Sequence, residues 1–164
     1  MGCIYFIEEG SKNMDNFSMD EFYSLLEADK KREIEAVENG IMSIRDIRIQ
    51  YPEYCLAVVK RDGMLLKYVK NQTAEICLTA VRQNGRALQH VKEQTYFVCM
   101  EAVKQNGMAL QYVENQIYDI CLTAVRKTGA ALHYVKNQTP EICFEAVKQN
   151  KDVIKYVDRN LFYK

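Results

Sequence analysis

The sequence predicts an all-α protein, a solenoid of about five 22-residue helix-turn-helix units behind a helical N-terminal cap. Three observations carry that expectation. Cys55, Cys77, Cys99, Cys121 and Cys143 recur every 22 residues without an insertion, which marks a repeat array. The text around them recurs too: EYCLAVVKRDG, EICLTAVRQNG, FVCMEAVKQNG, DICLTAVRKTG and EICFEAVKQNK. Finally, each copy carries more apolar surface than it can cover alone, so that only stacking buries it.

The chain divides into an acidic segment, residues 1–48, and the array, residues 49–164. The first holds six basic and eleven acidic side chains and the second sixteen and eleven, although the whole is neutral. An acidic head that docks on its own basic array would explain the asymmetry, as would two surfaces with different partners or plain solvated charge. MGCIYF at the start resembles an acylation signal but places Phe6 where that signal needs Ser or Thr. CIYFIEEG reads as a short strand or an arm. Ser18 and Glu21 form a capping box ahead of SMDEFYSLLEADKKREIEAVENG, which therefore reads as one or two helices. Its last part, EIEAVENG at 33–40, resembles a worn first copy of the repeat.

Within a copy, Thr73, Thr95 and Thr139 stand where a helix N-cap belongs, followed by Pro140 at a first helical position and by Glu75 or Glu141 in the first turn. The helix is expected to run about three turns and to stop at Gly85, Gly107 or Gly129, read as left-handed C-terminal glycines. The following text, such as MALQYVENQ, fits a second, shorter helix. Ala80, Ala102 and Ala124, with Ala87, Ala109 and Ala131, form rows of small residues for close approach between copies. At the ends these rows give way to Val58, Leu65 and Val153, and glycine to Lys151, as terminal copies require.

Most of the residues that invite chemistry read as structure. Stacked helices lie about 8–10 Å apart, too far for disulfides between the five repeat cysteines, each of which sits among apolar neighbours. Cys3, outside the array, is the one candidate reactive thiol. His90 replaces a tyrosine of the row Tyr68, Tyr112, Tyr134 and Tyr156, while His133 falls in a polar row. Neither has a nucleophile or carboxylate placed beside it by spacing, and no phosphate loop or paired-histidine metal motif occurs. Catalysis, a metal and a cofactor are therefore not expected. The absence of a long apolar run or a leader points to a cytoplasmic protein without a membrane partner, and six reduced cysteines fit a reducing compartment.

The repeated text AVKQNG, AL, YV and TPEIC resembles the bacterial and viral helical repeat family DUF4116 over residues 49–158. This resemblance implies a helical repeat found in bacteria, phages and large viruses, and brings no catalytic residues. The chain departs from the pattern at Tyr51, Phe97, Ile117 and Lys151.

Departures from a repeat show where something besides the fold is selected. Tyr96 and Phe97, then Ile117 and Tyr118, replace capping, proline, alanine and acidic residues in the third and fourth copies. The four are expected to form an aromatic-aliphatic patch that binds a protein, with Met64 and Met108 as further contacts on the second-helix row. The opposing reading has the N-terminal segment folding back over the patch. The expected activity is non-catalytic: an adaptor, or an inhibitor occluding a larger protein, with a bacterial defence complex as target on the resemblance alone. The alternative is RNA or DNA binding through Lys60, Arg82, Lys104, Arg126 and Lys148, with aromatic stacking. Against it, basic residues at helix ends are favoured by the helix dipole without any ligand. No small-molecule substrate is expected.

Overall fold

The computed structural model describes residues 18–40, 42–44 and 50–162. The acylation and strand readings, Cys3 and residues 45–49 lie outside them. Among the described residues six α-helices follow in order: α1 (Met19–Glu38), α2 (Pro52–Arg61), α3 (Ala74–Gln83), α4 (Tyr96–Gln105), α5 (Tyr118–Lys127) and α6 (Pro140–Gln149). Each of the last five leads into a six-residue 3₁₀ helix, Gly63–Tyr68, Gly85–His90, Gly107–Tyr112, Gly129–Tyr134 and Lys151–Tyr156. A short 3₁₀ turn, Arg159–Phe162, follows the last, and no strand occurs among the described residues. The protein is an all-α solenoid whose second helix per unit is a 3₁₀ helix.

In α3, α4 and α6 threonine starts the α-helix and asparagine ends it. The hydroxyls of Thr73, Thr95 and Thr139 accept from the amides of Ile76, Val98 and Ile142, satisfying one otherwise orphaned donor each. At the other end, Asn84, Asn106 and Asn150 take an extended conformation that stops the α-helix. Their side chains then accept from the amide two residues on, at Arg86, Met108 and Asp152. One residue closes the α-helix and opens the 3₁₀ helix.

The repeat glycines act differently from the expectation. Gly63, Gly85, Gly107 and Gly129 are not left-handed; among the described residues only Gly40, after α1, has a positive φ, of 74°. A Cβ at Gly63, Gly85, Gly107 or Gly129 would lie 2.3–2.8 Å from the carbonyl oxygen of Ala80, Ala102, Ala124 or Ala146 in the next unit. The glycine row is thus required by backbone contact between repeats. Lys151 has no such neighbour and keeps its side chain.

Between these contacts runs one continuous core. Val81, Val103 and Val125 of the α-helices, with Leu66, Leu88, Leu110 and Leu132 of the 3₁₀ helices, are fully buried, worth about 1.5–3 kcal/mol for each large side chain. Ile154, the next residue in the leucine row, is 64% exposed, with no further unit packed on it among the described residues.

Two rows of glutamine tie successive units together. Gln72 donates its amide to the carbonyl of His90 and accepts from the backbone amide of Lys92. Gln50, Gln94, Gln116 and Gln138 do the same one unit apart along the array. The second row reaches backward: Gln83, Gln105 and Gln149 accept from the amides of Gly63, Gly85 and Gly129. Both rows satisfy backbone groups that stacking would otherwise strand. Each buried Cys lies near the first row, with Cys77, Cys99, Cys121 and Cys143 Sγ 3.3–3.7 Å from the glutamine oxygen of their own unit.

Helix α1 stands before the array, opened by the Ser18–Glu21 capping box. It lies parallel to α2: Lys30 pairs with Glu53 at 3.0 Å, Glu33 accepts from the Tyr54 hydroxyl, and the Val37 carbonyl accepts from Arg61. Val37 is completely buried.

Candidate protein-binding edge

The starts of α2 to α6 line one edge of the solenoid, with the forward-reaching glutamines just behind them. Two openings lie on this edge. Tyr96 and Ile117 line a cleft of about 130 Å³ between α4 and α5, closed below by Cys99 and Ile120. A groove of about 400 Å³ between α3 and α4 is lined by Lys70, Lys92, Glu93, Thr73 and Thr95.

Tyr96 and Phe97 touch edge to face, with ring centroids 5.5 Å apart, a favourable aromatic geometry. Phe97 is 71% exposed, since it occupies the outward position where other units carry Glu53, Glu75, Asp119 or Glu141. Ile117 is the N-cap residue of α5 and makes no side-chain cap bond. Tyr118 turns toward the next unit, where its hydroxyl donates to Glu141; that bond, then burial, raises the tyrosine pKa. The structure therefore brings Tyr96 and Ile117 to one cleft, sets Phe97 against the Tyr96 ring outside its lining, and ties Tyr118 to the following helix. Met64 and Met108 stand elsewhere, as the second residues of 3₁₀ helices, half-buried. Met108 packs on the core.

Lys60, Arg82, Lys104, Arg126 and Lys148 are all exposed. Arg82 pairs with Glu101 of the next unit at 2.8 Å, Lys104 approaches the same carboxylate at 3.4 Å, and Arg126 pairs with Glu145 at 3.4 Å. The Arg82 hydrogen bond holds the Glu101 carboxyl below its ordinary pKa. Two of the five cations, Arg82 and Arg126, thus act in repeat-to-repeat electrostatics, while Lys104 pairs within its own helix.

His90 is half-buried and its pKa is lowered by burial, while exposed His133 contacts the Tyr134 and Tyr156 rings. Burial raises the pKa of all five repeat cysteines, away from thiolate chemistry. Among the described residues no group of three or more His, Cys, Asp or Glu is placed to hold a metal, and no helix is long and apolar enough to cross a membrane. The sequence reading missed the groove at Lys70 and Lys92. Its signal was present in lysines one repeat apart, each two residues before the glutamine of a glutamine-threonine pair.

A family model described as a domain of unknown function, DUF4116, matches residues 51–94, 74–118, 98–138 and 117–162, together more than half of the chain. The chain belongs to the DUF4116 family. No curated protein and no solved structure matches it. Each DUF4116 match spans about two of the 22-residue units. That two-unit span agrees with the alternation of charge along this DUF4116 array, in which Arg82 and Arg126 stand on odd-numbered helices and their partners Glu101 and Glu145 on even ones.

Proposed function

We propose that the protein is a non-catalytic recognition module whose α4–α5 edge docks a segment of another protein, as an adaptor or as an inhibitor that occludes a larger partner. The observation that carries this reading is the exposure of Tyr96, Phe97 and Ile117, where most other units carry proline or alanine, an acidic residue and a capping threonine. Ile117 forgoes a cap worth about 1 kcal/mol, and Phe97 forgoes a favourable charge at a helix start. Aromatic anchors gathered beside a cleft are the features that dominate binding energy at protein interfaces. The family's bacterial and viral distribution, implied by the resemblance, makes a bacterial defence complex a candidate target, and the expected site of action is the cytoplasm.

Capture of the tagged protein's partners from host lysate, with and without nuclease, tests the reading. A stoichiometric protein that survives nuclease and is lost with Phe97→Glu is the expected result. Retention of nucleic acid, lost on nuclease treatment and steeply weakened by salt, would instead assign the exposed cations a phosphate-binding role.

A further inference from the structure

The face of α1 that packs on α2 continues beyond the start of α2. Val37, Ile34 and half-buried Lys30 lie against the array. Leu26, Tyr23, Phe22 and Met19 prolong the same stripe at spacings of three and four residues, the pattern of a helix-helix seam. Lys30 meets the first turn of α2 and the two helices are parallel, so residues 19–29 project beyond α2's start. Met19, Phe22, Tyr23, Leu25 and Leu26 are 43–62% exposed there. A three-turn helix without a packed face is marginal in water, so this extension is built for a partner helix.

We propose that the partner is a second copy of this chain, its α1 extension lying antiparallel on the first. The pairing of Asp20 with Lys31 favours this partner and this direction. The extension begins with Asp20 and Glu21, carries Glu27 and Asp29 further on, and is followed by Lys30, Lys31 and Arg32, of which Lys30 pairs with Glu53 and Arg32 with Asp29. An antiparallel pair centred near Leu25 sets each acidic start within reach of the other copy's basic end, with Asp20 beside Lys31 of the second copy. A parallel pair would oppose like charges. The seam continues an interface the fold already uses, and it leaves the α4–α5 edge uncovered.

Light scattering across a micromolar concentration series tests this on the full chain. The expected mass rises from 19.1 kDa toward twice that value, Leu26→Asp abolishes the rise, and Phe97→Glu leaves it unchanged. Asp20→Lys and Lys31→Glu each move the dimer midpoint to higher concentration, and the double variant moves it back. A monomer throughout the series overturns the proposal and leaves the stripe to residues 1–17 or to another protein. A dimer indifferent to Leu26→Asp, or a double charge variant no better than the singles, also overturns it.

Discussion

The boundary between the α3 and α4 units and the one between α4 and α5 are written in nearly the same text but fastened differently. At the first, Gln72 holds the following loop, Gln105 holds the Gly85 amide, and Arg82 pairs with Glu101. At the second, Gln94 holds its loop in the same way, yet Lys127 stands in the place of Gln105 and Lys104 and Thr123 in the places of Arg82 and Glu101. The capping threonine is also missing there, replaced by Ile117. This sparsely fastened boundary is the one whose cleft is lined by exposed Tyr96 and Ile117. The comparison separates what stacking requires from what the chain adds: the glycine, alanine and forward glutamine rows run through both boundaries, whereas caps and ion pairs are dispensable.

The contact common to both boundaries should be the costliest to disturb. Gly85→Ala places a methyl 2.6 Å from the Ala102 carbonyl, and a loss of about 2–3 kcal/mol in urea unfolding is expected. Lys151→Gly, at the end of the same row, should change stability by roughly 1 kcal/mol or less.

Next in size comes the forward glutamine. Gln94→Ala strands the Tyr112 carbonyl and the Glu114 amide, at an expected cost of about 1–3 kcal/mol. Hydrogen exchange at Glu114 should accelerate more than exchange at Lys92 does in Gln72→Ala, because the α4–α5 boundary has less else to hold it.

Refastening that boundary should move it toward its neighbour. Lys127→Gln with Thr128→Asn supplies the missing backward clamp and 3₁₀ cap, for a gain of about 1 kcal/mol and slower exchange at Gly107. No change would mean that the substituted pair already holds the boundary by other contacts.

The smallest effect is the surface ion pair. Arg82→Ala should cost about 0.2–1 kcal/mol. Its pH dependence has a definite sign: the Glu101 carboxyl is lowered in the folded state by Arg82, so the contribution is present above the ordinary glutamate pKa of about 4.3. It is lost as pH falls through the lowered folded value, and the difference between the natural protein and Arg82→Ala should vanish in acid.

Periodicity made the solenoid legible because a strict 22-residue repeat admits no other way to bury Ile76, Val81 and Leu88 and their counterparts. The caps at Thr73, Thr95 and Thr139 were legible for a local reason, since a hydroxyl and an amide three residues away need no tertiary information. The glycines misled for the converse reason. Their role is set by a carbonyl in the next unit, which a local rule about helix ends does not contain. The glutamine rows were visible as letters but not as bonds, because each spans about twenty residues and only stacking brings the ends together. As for the candidate site, the departures at Phe97 and Ile117 were readable against the repeat, while the turn of Tyr118 toward Glu141 and the groove at Lys70 and Lys92 depend on how neighbouring units face each other.

The central claim is that the α4–α5 cluster serves recognition and is not needed by the fold. The unfolding free energy of the double variant Phe97→Glu, Ile117→Thr, which rewrites the cluster in the text of the other units, tests it most directly. The account predicts a protein more stable than the natural one by about 1 kcal/mol, as a cap and a helix-start charge return. A variant destabilised by a similar amount would show that the cluster is covered within the protein's own folded state, and would contradict the claim.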